Sequence, residues 1–289
     1  VALTISIPKI WSRKIWEKLR TLYVYAEAFT NRDYEGDLQG PGDTVQITGV
    51  GTITVDEFTG TLADPEEVDD VDKGTLQATE QDSFHFKVPL IKGRQSILNV
   101  YNEYSLEAGI SLATEVDAFV ASFHSAISDT TPDNTYGDDT TPIVVGFGTG
   151  EVLPYDLFLE LAQRLTEAKV PKQNRRIVLP PWFMRALKRQ LGIRETAKGD
   201  EVITNGLVMQ IDGVKIYEST EVPNTAGAKH KIMMGIPKIT FAETISELVV
   251  YRPEKNFDTA VKGLHVYGGK MTHPAAFALA TVDAGDLLA

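Results

Sequence analysis

The stretch Thr44–Leu90 constrains this chain most. It reads as two long amphipathic strands joined by an acidic, turn-rich connection without a core of its own. Val45, Ile47, Ile53 and Val55 share one parity around a Gly49-Val50-Gly51 interruption. On the return, Phe84, Phe86, Val88 and Leu90 alternate with Ser83, His85, Lys87 and Pro89. Period-two alternation of β-branched and aromatic residues marks a half-buried strand. About ten strand residues reach roughly 33 Å. A two-stranded ribbon is marginal alone, so its apolar face must lie on the chain's own core or on a neighbouring copy. The stretch by itself leaves both open.

The connection carries Asp64, Glu66, Glu67, Asp69, Asp70 and Asp72 against Lys73 alone. A hard cation needs oxygen ligands at set positions around a sharp turn, and nothing here fixes that geometry. The better reading is a solvated, self-repelling loop tip. The charge balance of the whole chain points the same way. A formal net charge of −12 argues against a dedicated duplex-DNA or RNA binder, which needs basic surface against phosphate. Cysteine is absent, which removes disulfides, thiol chemistry and cysteine-bound zinc and fits a reducing compartment. No apolar run reaches membrane-crossing length and no signal-peptide pattern opens the sequence, so a soluble chain made inside the cell is expected. Its 289 residues can fill one large core or two joined ones.

Lys9–Phe29 reads as an amphipathic helix with the stripe Trp11, Ile15, Leu19, Leu22, Ala26 and Phe29. Its first half is basic through Lys9, Arg13, Lys14, Lys18 and Arg20, and suits either a docking arm or an ordinary first helix. A second helix is expected over Glu103–Ile127. Leu106, Ile110, Ala113, Phe119, Val120, Phe123 and Ile127 form its apolar face, Glu107, Glu115 and Asp117 lie off it, and His124 is packed beside it. Further helices are expected over Pro154–Lys169 and from Pro181 to about Gln190. Strands are expected at Ile143–Val145, Arg175–Leu179, Ile232–Phe241, Glu247–Arg252, Leu264–Lys270 and Phe277–Val282, with a helical turn at Asn256–Val261. A hairpin, Leu207–Ile211 with Val214–Glu218, closes on Asp212-Gly213. Helices and strands mix without a regular βαβ repeat, which favours an α+β fold.

Chemistry is hard to find. Nucleophile-elbow, P-loop and paired-histidine patterns are missing, and the 5 histidines have no ligand spacing. The strongest enzyme-like feature is Gly146-Phe147-Gly148-Thr149-Gly150 between a strand and a helix, a turn that can cradle a pyrophosphate. Glu151 stands where the third glycine of the dinucleotide pattern belongs, and an acid there repels phosphate. No cofactor and no metal is expected, and no catalytic residue is assigned.

The order of elements resembles the major capsid proteins of tailed double-stranded-DNA bacteriophages, the Hong Kong 97 phage-type fold. Trp16–Phe29 followed by Asn31-Arg32-Asp33-Tyr34-Glu35-Gly36 is similar to that family's N-terminal arm, and Gly42-Asp43-Thr44-Val45-Gln46-Ile47 to the start of its extended loop. Phe84–Leu90 resembles the return strand and Glu103–Ile127 the spine helix. Arg175–Trp182, Leu207–Glu218 and Glu221-Val222-Pro223 resemble the axial domain. Phe257–Leu279, with Tyr267-Gly268-Gly269-Lys270 and His273-Pro274-Ala275, resembles the closing peripheral strands.

The resemblance implies an arm over 1–35, an extended β-hairpin loop over 36–95, a peripheral domain from 96–145 and 246–289, and an axial domain over 146–245. It implies a non-enzymatic subunit that self-assembles as pentamers and hexamers into an icosahedral head around the genome, with capsid maturation to follow. The ribbon would lie on an adjacent subunit and the arm would reach a further one. Assembly contacts are then expected at Trp11, Arg13, Lys14, Trp16, Lys18, Val45, Ile47, Ile53, Val55, Asp69, Asp70, Phe84, Phe86 and Val88. The basic stretch Arg13–Arg20 would meet a neighbour's acidic Asp64–Asp72. Expected partners are further copies, a portal, a decoration protein and, from the Val1-Ala2 start, a separate scaffolding protein. Contact with packaged DNA would be weak and non-specific, with no membrane involved. The chain would be assembled in the host bacterial cytoplasm and reside in the virion. An encapsulin-like nanocompartment shell shares the fold and stays open, as does a soluble α+β nucleotide-dependent enzyme using Gly146–Gly150.

Overall fold

A computed structural model describes residues 19, 22–34, 42–50, 70–88, 90–127, 133–191, 207–253 and 259–288. Three sheets organise them. The largest has eight strands. Its main path runs β5 (Thr135–Tyr136), β14 (Phe277–Asp283), β11 (Lys229–Gly235), β7 (Arg176–Leu179), β9 (Val214–Glu218) and β8 (Leu207–Ile211), with β6 (Ile143–Val144) on β14 and β10 (Asn224–Thr225) on β11. Central strands with both faces covered read as continuous apolar runs. In β11 and β14, Met233, Phe277 and Leu279 enter one core, while Ile232, Met234, Ala278 and Ala280 enter the other. Helices α3 (Pro154–Glu167) and α4 (Pro181–Leu191) cover the second core. The first is closed by α1 (Tyr25–Phe29) and α2 (Leu90–Ser122).

A four-stranded sheet follows the order β1 (Thr30–Asn31), β12 (Ile239–Tyr251), β13 (Thr259–Met271), β4 (Glu80–Val88). The two-stranded ribbon is β2 (Thr44–Val50) with β3 (Asp70–Gln77). This corrects the expected hairpin, in which Phe84–Leu90 returned along Val45–Val55. Val45 pairs with Leu76, whereas Phe84 pairs with Gly263 and Phe86 with Val261. The cause lies at Gly74, which takes φ +101° where the β2–β3 register slips. A bulge reverses side-chain parity. The acids before Gly74 and the buried Leu76 and Ala78 after it therefore show no single alternation, and β3 passes for a loop.

Other boundaries moved for local reasons. The expected helix Lys9–Phe29 is interrupted at Tyr23-Val24, where Val24 has φ −112° and ψ −57° and α1 starts afresh. Leu22 of its expected stripe is exposed, and Tyr23 and Tyr25 point inward instead. Helix α2 has 33 residues, about 50 Å, and begins at Leu90 directly after Pro89. Gly93, Ser96, Asn99 and Asn102 are weak helix formers and hid that start. Its buried stripe is Leu112, Ala113, Val116, Asp117, Val120 and Ala121, so Leu106 and Ile110 are solvent-facing and Asp117 is inside. The expected strand Ile232–Phe241 divides into β11 and β12 around Pro237, which lacks a ladder donor. Within Asn256–Val261, the described residues belong to β13. The expected domain boundary at 245 falls inside β12, at its bulge between Ile245 and Glu247. The last strand, β14, joins the eight-stranded sheet and not the sheet of β13.

Candidate assembly surfaces and the arm anchor

Residues 22–34 are held by two buried acids far from them in sequence, Asp117 and Glu243. Tyr23 donates its hydroxyl to Glu243 Oε2 at 2.5 Å, and Arg32 Nη1 donates to Glu243 Oε1 at 2.7 Å. His265 Nε2 lies 3.3 Å from the same carboxylate. The Arg32 guanidinium also sits over the Tyr23 and Phe241 rings at 5.4 and 5.8 Å. Burial pushes the Glu243 carboxyl up, but His265, Arg32 and Tyr23 outweigh it and hold it below the ordinary carboxylate value. From α2, Asp117 accepts the backbone N–H groups of Val24 and Ala26 at 2.8 and 3.0 Å. Arg176 donates to the Glu27 and Ala28 carbonyls, tying α1 to the eight-stranded sheet.

The ribbon base rests on the outer face of the four-stranded sheet. Ile47, Leu76 and Ala78 bury against Ala242 and Val266, with Val45, Leu264 and Tyr34 at the edge. A Cβ on Gly268 would lie 2.0 Å from the Gln77 carbonyl oxygen, so glycine is what lets the β3–β4 corner come this close. Farther along the same sheet is a depression of about 330 Å³ lined by Ser83, His85, Val249, Tyr251, Lys262 and Leu264. Val249 and Tyr251 are 38% and 41% exposed, and Lys262 Nζ stands 5.6 Å from the Tyr251 ring centre.

The glycine turn is closed to phosphate by the chain itself. Gly148 N donates to Glu151 Oε2 at 2.6 Å. A Cβ on Gly146 would lie 2.0 Å from that oxygen. The cradle is filled by its own carboxylate.

A structure of Mycobacterium phage Che8 matches at a TM-score of 0.62 and 23% identity, over 89% of this chain and 90% of that one. The capsid of Ralstonia phage GP4 matches at 0.64 and 11% identity, over 92% and 91%. The fold is that of tailed-phage capsid chains. A virus-like particle from Pyrococcus furiosus matches at 0.54 and 11% identity, over 94% and 98%. No family model and no curated protein matches the chain.

Within this capsid fold the expected contact residues divide unevenly. Val45 and Ile47 pack on the chain's own sheet. Phe84 packs against the core shared with α2, and Phe86 stacks on Tyr104 at 5.5 Å. Asp70 and Val88 are ladder residues, opposite Val50 and Thr259. Trp11, Arg13, Lys14, Trp16, Lys18, Ile53, Val55 and Asp69 lie outside the described residues. Sequence reasoning missed Asp117, Glu243 and His265, whose partners are 22 to 220 residues away. The one available signal was an acid on the inward parity of an otherwise apolar element.

Proposed function

We propose that this chain is the major capsid protein of a tailed bacteriophage, a non-enzymatic subunit whose copies build the icosahedral head around double-stranded DNA. The observation that carries this reading is the near end-to-end match with the Ralstonia phage GP4 capsid, over 92% of this chain and 91% of the other. The ribbon base stays on its own sheet, and the stretch beyond Val50, with Ile53 and Val55, reaches an adjacent copy. The receiving surface is the Val249–Tyr251–Lys262 depression. That face already accepts a ribbon at its other end, and its Lys262 and His85 suit the acidic residues Asp64–Asp72. The basic stretch Arg13–Arg20 contacts a further copy at the acidic residues of its Asp64–Asp72 that the depression leaves uncovered. Interfaces of modest size, multiplied over pentamers and hexamers, close a shell while single errors remain reversible. A net charge of −12 keeps packaged DNA from being gripped. Portal, decoration and scaffolding proteins complete the head, which is assembled in the bacterial cytoplasm and ends as the virion shell.

Negative-stain microscopy of the purified chain tests this directly. Closed shells or rings are expected, and a small discrete oligomer rejects the reading. The cysteine-free sequence permits a sharper test of the contact, pairing Asp69→Cys with Tyr251→Cys. Oxidation of assembled particles should give ladders of linked subunits, and monomer alone rejects the contact. An encapsulin-like shell is the second reading, favoured by the Pyrococcus furiosus particle match. Particles enclosing protein cargo and no nucleic acid during infection would select it.

A further inference from the structure

The arm enters the body through Val24, Tyr25 and Ala26, and this entrance is held by an acid with an unusual environment. A helix leaves its first backbone N–H groups unpaired. Here α1 has only 5 residues and no side-chain cap of its own. The donors at Val24 and Ala26 both go to Asp117, which lies 93 and 91 residues away on the spine helix. Asp117 is 4% exposed. The charged group acting on it from the packed elements is Glu221 on the connection after β9, a like charge. Tyr23 and Tyr25, whose phenols burial pushes up, stay neutral beside it. On its own helix its neighbours Ala113, Val116, Val120 and Ala121 are buried and apolar. Of the described cations near it, Arg32 is engaged by Glu243 and Arg176 by the Glu27 and Ala28 carbonyls. The Tyr25 hydroxyl is buried with no hydrogen-bond partner among the described residues. A charge on Asp117 therefore meets backbone dipoles that favour it, and burial and like charge that oppose it.

We propose that Asp117 is a proton-operated latch on the arm: uncharged, it leaves Tyr23–Phe29 seated on the spine helix, and charged, it works them loose. The latch is a property of the folded chain and does not rest on the shell reading. Burial lifts the Asp117 carboxyl to about 7 against the Ala26, Val24 and Tyr25 N–H groups, which pull it down. Once the arm leaves, the carboxyl is hydrated and returns toward about 4. The seated state thus binds the proton more tightly. The Asp117 contribution to seating is full below about pH 4, is lost as pH rises through about 7, and changes little above that.

Amide hydrogen exchange of the full chain, corrected for the intrinsic pH dependence of exchange, reads the opening of Val24 and Ala26. Ile232 in β11 serves as a reference. The linkage predicts that protection falls about fiftyfold from pH 5 to pH 7 and about twofold from pH 7 to pH 8. Asp117→Asn, with no proton to exchange, gives a flat profile. Glu221→Gln removes the like charge and moves the wild-type midpoint to lower pH. A flat wild-type profile, or an Asp117→Asn profile with the wild-type slope, overturns the proposal. If Asp117→Asn does not fold, an unmoved midpoint in Glu221→Gln overturns it alone.

Discussion

Gly268→Ala is the most direct probe of how the ribbon is seated. The new Cβ would lie 2.0 Å from the Gln77 oxygen, 2.8 Å from the Gln77 carbonyl carbon and 3.1 Å from Ala78 Cα. All three are backbone atoms, so no rotamer change relieves the overlap. Carbon and oxygen need roughly 3.3 Å, so the β3–β4 corner must retreat by more than about 1 Å. That lifts Leu76, Ala78 and Ile47 off Ala242 and Val266. Overpacking of this kind costs about 1–3 kcal/mol, against about 0.5–1 kcal/mol gained by replacing glycine in a strand. A net loss of about 1–2 kcal/mol is expected. The overlap concerns one corner, so it should appear as local opening more than as global unfolding. Amide exchange at Ala78, whose N–H donates to the Asp43 carbonyl at 3.1 Å, reads it out. Protection there should fall by about 5- to 30-fold, the equivalent of that loss. The adjacent Gly269 faces the other way, onto the Phe123 ring at 3.0 Å. Gly269→Ala should disturb the core around Phe119 and Phe123 and leave Ala78 protected. If Gly268→Ala leaves both stability and Ala78 exchange unchanged, the ribbon base is not seated on its own sheet.

Glu243→Gln should cost about 1–3 kcal/mol at pH 7 by urea denaturation, because it weakens the bonds from Arg32 and Tyr23. Glu243 is held below the ordinary carboxylate value, so its contribution is present above the unfolded value and lost as pH falls through the folded one. The gap between variant and wild type should therefore close below about pH 4, and a constant gap refutes the assignment. Gly146→Ala should displace the Glu151 carboxylate and cost about 1 kcal/mol by thermal melting. ATP or NAD should not shift the melting temperature of the wild-type chain, and a clear rise would revive the nucleotide reading. Charge reversal at Arg13, Lys14 and Lys18 should abolish shells in negative-stain images, and unchanged assembly rejects the arm contact.

Some of this fold is legible because it is decided within a few residues. Asp212 and Gly213 adopt φ +48° and +78°, the paired positive values of a tight hairpin, and the flanking strands fall where alternation puts them. The starts of α3 and α4 follow Pro154 and Pro181, which suit a first helical turn. The acid at Glu151 announced that the glycine turn would not take phosphate, and the carboxylate is found in the cradle.

The sequence by itself determined the α+β class, the helix and strand segments with strong periodicity, and the absence of cysteine chemistry. Each depends on neighbours two to four positions apart, or on composition alone. Only the tertiary structure decided that β4 pairs with β13, that Gly74 slips the ribbon register, and that Asp117 and Glu243 hold Tyr23, Val24, Ala26 and Arg32. Strand alternation specifies a face but no partner, and a buried acid acquires its role from groups that chain folding brings to it from far along the sequence.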